Sequence, residues 1–229
     1  VLDHIDDHVE GNDHFEFFWV PHTKWALTKA NNRTTEPLAP RASRTAWWND
    51  TVMENYAFGA VCQLGKLRPT LIPSLATALP GSGKVTFVDK SYAVFASKRI
   101  VRFTEMEYSI PRAVGPEALR RVRQMIEDRG FMISFPIEVR FTASDDIAMS
   151  TSTGRQSCYI AVHMTAGVDN RPYFEAVEAI MNDYGGRPHW GKLHFQTADT
   201  LAARYPRFDD FVATRTRLDP DGRFTNPYL

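Results

Sequence analysis

Glu138 and Arg140 stand two residues apart in the run Pro136-Ile137-Glu138-Val139-Arg140-Phe141-Thr142. On a β-strand such residues point to the same side, their side chains roughly 6.6 Å apart along the chain. Ile137, Val139 and Phe141 then form the opposite, apolar face. A carboxylate beside a guanidinium can hold a polyhydroxylated ligand, one accepting hydrogen bonds and the other donating them. The same alternation also describes a cross-strand salt-bridge pair on a solvated sheet face. A second constellation is Gly185-Gly186-Arg187-Pro188-His189-Trp190-Gly191-Lys192. Its glycines allow the backbone to approach a planar ligand, and His189 and Trp190 offer rings to pack on one. A partly buried Lys192 can stabilise negative charge on a reduced cofactor or a developing alkoxide. A decorated helix-to-strand loop would have the same composition.

Other residue patterns point away from chemistry. His4, His8, His14 and His22 are early in the chain, and His4 and His8 can share a helix face as zinc ligands do. There is no HExxH motif, and His14 and His22 flank an expected strand, so no metal site is expected. Pro80-Gly81-Ser82-Gly83-Lys84 looks like a phosphate loop only superficially. A Walker A motif needs glycine where Ala78 stands and Ser or Thr where Val85 stands. Serines are scattered, neither cysteine has a nucleophile's surroundings, and GxSxG is absent.

These residues need elements to position them. Strand-like runs cover 15–20, ended by Pro21, then 99–110, 136–142 and, less regularly, 157–164. In the second, Met106, Tyr108 and Ile110 alternate with Glu105, Glu107 and Ser109. Pro116 opens a helix with Leu119, Val122, Met125 and Ile126 on one side, and Gly130 closes it. Pro172 opens another, with Phe174, Val177, Ile180 and Met181 as its stripe and Gly185-Gly186 as its stop. Thr197 is placed to cap a short helix ending before Pro206. A further helix carries Phe208, Phe211, Val212, Arg215 and Leu218, and Asp219-Pro220-Asp221-Gly222 ends it. An amphipathic helix is expected over 43–64. Strands and helices without regular βαβ alternation predict an α+β fold with a large, mainly antiparallel sheet and flanking helices. The glycine-rich turn of a Rossmann fold is missing.

The 229 residues suffice for a sizeable core, and their hydrophobic and charged fractions are those of a soluble globular chain. Lys+Arg and Asp+Glu both total 27, a balance that argues against nucleic-acid binding. No apolar run approaches the ~20 residues of a membrane-spanning helix. Val1-Leu2-Asp3-His4 carries neither an initiator methionine nor a signal peptide, which suggests a fragment beginning in mid-protein. Cys62 and Cys158 lie far apart, and a reduced interior is expected.

Four motifs in order carry a resemblance. They are Phe103-Thr104-Glu105-Met106-Glu107-Tyr108-Ser109-Ile110-Pro111, the run 136–142, Gly186-Arg187-Pro188-His189-Trp190-Gly191-Lys192, and Leu218-Asp219-Pro220-Asp221-Gly222-Arg223-Phe224. Together they resemble the aldonolactone oxidoreductases (gulono-, arabinono- and galactonolactone oxidases and dehydrogenases) of the vanillyl-alcohol-oxidase flavoproteins, with sugar-alcohol oxidases more distant. The resemblance implies a C-terminal substrate, or cap, domain over 1–229, with the last ~30 residues packing toward an N-terminal domain that binds most of the FAD. It implies Glu138 and Arg140 as the substrate-positioning pair and Lys192 as a lysine reaching substrate and flavin. It matches His163 to a substrate histidine of the sugar-alcohol oxidases, sets His189 and Trp190 on the flavin-facing wall, and gives Glu105 and Glu107 supporting roles. The implied partners are the FAD domain and a sugar lactone, oxidised by hydride transfer. An alditol or other alcohol oxidase, or a non-catalytic domain that kept the fold, is the alternative.

Overall fold

The computed structural model describes residues 1–78 and 83–225. Pro80, Gly81 and Ser82, the centre of the apparent phosphate loop, lie outside the described residues. In chain order the elements begin with α1 (Ile5–Glu10), β1 (His14–Trp19) and β2 (Ala26–Asn31). A long helical run follows: α2 (Ser43–Trp47), a wide i→i+5 stretch (Trp48–Ala57) and α3 (Phe58–Leu67). Then come α4 (Ile72–Ala78), α5 (Ser91–Phe95), β3 (Phe103–Pro111), α6 (Gly115–Arg129), β4 (Ile137–Thr142) and β5 (Ser157–Thr165). The chain continues through α7 (Arg171–Asp183), β6 (Arg187–Pro188), α8 (Ala198–Ala202) and α9 (Phe208–Leu218).

The strands form a six-stranded antiparallel sheet in the order β2-β1-β4-β5-β3-β6. Period-two alternation gives it two unlike faces. Phe15 and Phe17 of β1, Ile137 and Val139 of β4, Ile160 and Val162 of β5, and Met106, Tyr108 and Ile110 of β3 are buried on one face. α6 and α7 cover that face with Leu119, Val122 and Ile126 and with Phe174, Val177 and Met181, the stripes their sequences predict. Pro116 opens α6 and Gly130, at φ 63°, closes it in the left-handed conformation glycine adopts without strain. Close packing fixes the helix start too. A Cβ on Gly115 would meet Cys158 Sγ at 2.7 Å. Among the described residues, no helix is long and apolar enough to cross a membrane.

The opposite face holds the polar residues of the same strands. Its upper end lies under α3, whose buried Cys62 approaches Ser134 and Thr165. Phe58, Phe103 and Phe135 pack together there, and Phe103 and Phe135 flank His163. The lower part carries the charged side chains.

The expected helix over 43–64 exists as a helical run to residue 67, but its middle is widened. β2 and β6 are additions. β2 is an edge strand with an irregular exposure pattern, and β6 is two residues long and contains a proline. Neither produces a recognisable alternation.

Candidate active site

The sheet register decides which side chains meet. One cross-strand row runs Phe18–Glu138–Ala161–Glu107, and the next runs Glu16–Arg140–Tyr159–Ser109. On the other side of the first row, Glu105 sits opposite His163. Ala161 presents only a methyl group between Glu138 and Glu107, so long side chains can reach across it. Arg140 does so. Its Nη2 donates to Glu107 Oε1 at 3.0 Å, and its Nε lies 3.3 Å from Glu138 Oε1.

Lys192 arrives from beyond the edge strand. After α7, Gly185 turns the chain at φ 61°, and Arg187-Pro188 pairs with Tyr108-Ser109. The ladder then continues irregularly. His189 N–H donates to the Glu107 carbonyl at 2.9 Å and Leu193 N–H to the Glu105 carbonyl at 3.0 Å. That path lays Lys192 over the polar face, where Nζ donates to both Glu105 Oε1 and Glu107 Oε2. A buried carboxylate anchors the far side of the loop: Glu178 of α7 accepts from Phe195 N–H at 2.8 Å and from the Tyr108 hydroxyl.

His163 closes the cluster. Its Nε2 is 3.2 Å from Glu105 Oε1 and its Nδ1 is 3.2 Å from the Pro136 carbonyl, so each ring nitrogen faces an acceptor.

The carboxylates differ in their proton affinity. Burial works to raise Glu105, but hydrogen bonds from His163 and Lys192, with their charges, outweigh it and hold the carboxyl down at about 2. Glu138 moves the other way. Burial pushes it up, and Glu16 reinforces the rise against the opposing charge of Arg140. Burial would lower Arg140, but Glu107 and Glu138 hold it above its ordinary value. The arrangement therefore combines fixed cationic donors with one carboxyl whose proton affinity is raised, a set suited to binding hydroxyls and moving a proton.

The structure brings Glu138, Arg140, His163 and Lys192 into one cluster. His189 and Trp190 flank it on the Lys192 loop. His189 is exposed and accepts from Gly191 N–H at its Nδ1. Trp190 is half-buried, donates from Nε1 to the Tyr205 hydroxyl at 2.8 Å, and packs edgewise on Tyr205 and Phe211. Glu105 and Glu107, given supporting roles by the resemblance, grip Lys192 directly. Their position on one strand face was legible, but the partner 85 residues or more away was not. Among the early histidines, His4 pairs with Asp7, His8 stacks on Phe15 and His14 meets the edge of Phe95. No group of three or more potential metal ligands occurs among the described residues. A cavity of about 400 Å³ at the end of β1 and β4 shares Glu16 and Arg140 with the cluster. The rest of the cluster lies outside that cavity.

Relatives of the chain are known. The chain is 50% identical to an L-gulono-1,4-lactone dehydrogenase of Mycobacterium tuberculosis, over all of this chain and 53% of that protein. It is 32% identical to an L-gulonolactone oxidase of Bos taurus, again over all of this chain and 53% of the relative. An alditol oxidase of Streptomyces is 38% identical over 55% of this chain and 30% of its own length. The chain thus spans about half the length of the lactone-oxidising relatives it matches. Among solved structures, cholesterol oxidase from B. sterolicum superposes with a TM-score of 0.69 at 16% identity, covering 98% of this chain and 54% of that one. At that identity the likeness concerns the fold alone. Residues 1–229 in full match the D-arabinono-1,4-lactone oxidase family, and the chain belongs to that family.

Proposed function

We propose that this chain is the substrate half of an FAD-dependent enzyme that oxidises an aldono-1,4-lactone such as L-gulono-1,4-lactone. In this reading an N-terminal domain of the same protein contributes most of the FAD contacts, and the last ~30 residues pack toward it. The observation that carries the reading is the convergence of Arg140, Lys192 and Glu138 on one open sheet face, in a chain 50% identical to a gulonolactone dehydrogenase.

The residues present fit one side of a flavin site. The polar face offers the cations Arg140 and Lys192, and the loop that carries Lys192 also carries the rings of His189 and Trp190. No glycine-rich strand-to-helix turn for a pyrophosphate occurs in the described residues. His189, Trp190 and Lys192 would make this chain's share of the flavin contacts. The bound flavin supplies the acceptor for the hydride that leaves the substrate carbon.

The chain's own work is to bind the lactone and manage the hydroxyl on that carbon. Arg140 and Lys192 place donors where the oxygen becomes anionic, and fixed donors cost no reorganisation when charge develops. Glu138, with its raised proton affinity, is the proton acceptor for that hydroxyl, whereas Glu105, held at about 2, is a poor base. His163 orients Glu105 through its Nε2. Loss of a hydride from carbon and a proton from oxygen leaves a 2-keto lactone, which enolises to ascorbate or an analogue. The partial likeness to an alditol oxidase favours, as a second reading, the same chemistry on an open-chain polyol.

In the full-length protein, Glu138→Gln and Lys192→Ala should each lower lactone-driven flavin reduction at least ~100-fold, the usual scale for a positioned acid–base or charge-stabilising group. Anaerobic stopped-flow spectroscopy measures the rate and circular dichroism the fold. Near-wild-type rates in both variants would overturn the assignment.

A further inference from the structure

Glu107 is 2% exposed, and its carboxylate touches both cations of the cluster. Oε1 accepts from Arg140 and Oε2 from Lys192. The residue also holds the lysine loop through its backbone, because its carbonyl accepts from His189 N–H. Glu105 contacts Lys192 but makes no bond to Arg140, and Glu138 contacts Arg140 but makes none to Lys192. Among the described residues, Glu107 is therefore the carboxylate that joins the two.

A carboxylate this buried is a poor source of stability. Well-packed apolar residues in place of a buried ion network are often neutral or stabilising. What a doubly engaged carboxylate does provide is a fixed relation between its partners. Lys and Arg side chains are long and rotamer-rich, and holding either in one place costs conformational entropy. One planar carboxylate accepting from both settles where the ammonium and the guanidinium sit relative to each other before any ligand arrives. Ala161 completes the arrangement, because a larger side chain there would fill the gap that Arg140 spans.

We infer that Glu107 is a positioning residue that couples Arg140 and Lys192 into a single two-pronged donor site for neighbouring oxygens of a polyhydroxylated ligand. The inference rests on the proposed reading of the cluster as a substrate site. Glu107 does not touch the substrate. It acts through the two cations, and its removal should affect alkoxide stabilisation more than ground-state binding.

The test is a double-mutant cycle in the full-length protein, with anaerobic flavin reduction by L-gulono-1,4-lactone as the rate. Arg140→Ala and Lys192→Ala should be non-additive in the wild-type background, the double variant reacting at least 10-fold faster than the product of the single effects predicts. In a Glu107→Gln background the same two substitutions should combine multiplicatively to within about 3-fold. Glu107→Gln alone should slow reduction at least 30-fold. Calorimetric titration of the lactone onto the pre-reduced protein, which cannot turn over, should show its Kd changed by less than 5-fold. If Glu107→Gln fails to fold, Glu105→Gln serves in its place, because it keeps the bridge and must keep the coupling. Coupling that survives in Glu107→Gln, or that vanishes in Glu105→Gln, would overturn the inference. A wild-type protein with no lactone-driven reduction would instead remove the functional reading on which it rests.

Discussion

Replacing Lys192 with methionine keeps a long apolar stem and removes the ammonium that lies between Glu105 and Glu107. Deleting one partner of a buried ion pair typically costs about 3–5 kcal/mol, much of it from the charge left unpaired. Water reaches 16% of the Lys192 side chain and 19% of Glu105, so the lower end, about 3 kcal/mol at pH 7, is expected. The proton affinity of Glu105 gives an independent scale. At about 1.4 kcal/mol per pH unit, holding that carboxyl down at about 2 stabilises the fold by roughly 3 kcal/mol with His163 and Lys192 both in place. Because the folded carboxyl titrates below its unfolded value, the unfolded chain takes up the proton first. That contribution is complete above about 4.5 and is lost as pH falls toward 2. Without Lys192, one of the two partners that hold Glu105 down is gone, so the folded variant takes up the proton at a higher pH than wild type does. The deficit of Lys192→Met should therefore be largest near pH 7 and shrink steadily toward pH 4. Urea unfolding of full-length wild type and variant at a series of pH values measures it. A variant as stable as wild type at pH 7, or a deficit constant down to pH 4, would show that Lys192 does not hold Glu105 ionised.

Two further outcomes are expected from the packing. Burial pushes the Cys158 thiol up to about 12 and raises Cys62 as well, so neither should react with a thiol reagent at pH 8 in the native protein. Labelling of either cysteine without unfolding, read by peptide mass spectrometry, would contradict their placement. Gly115→Ala should drive a methyl group into Cys158 Sγ, at 2.7 Å from the ideal Cβ, and destabilise by about 1–3 kcal/mol. For a chain of this size that lowers Tm by roughly 2–12 °C in a thermal melt, and an unchanged melt would contradict the close approach.

The parts of the fold legible in the sequence are those where burial imposes a period. β3 and β4 alternate in sequence because one face meets α6 and α7, while β5, buried on both faces, alternates less regularly; the two helices carry matching stripes between a proline start and a glycine stop. β2 lies at the sheet edge, where exposure removes the alternation. The widening of the helical run at Trp48–Ala57 has no local signature, since the same stripe serves a regular helix. The site followed a similar division. The i, i+2 spacing of Glu138 and Arg140 placed them on one face. The motif ending in Lys192 marked a loop of unusual composition. The grip of Glu105 and Glu107 on Lys192 depends on strand order and register, which sequence spacing does not encode. Trp190 shows the converse. The aromatic motif was visible, while its packing on Tyr205 and Phe211 belongs to the tertiary fold.

Whether this sheet face presents a sugar lactone to a flavin is read from the visible spectrum of the full-length protein. The spectrum is recorded without oxygen, before and after addition of L-gulono-1,4-lactone. Flavin absorption bands that bleach on addition of the lactone are expected. A protein without those bands, or with bands that the lactone leaves unchanged, would contradict that role.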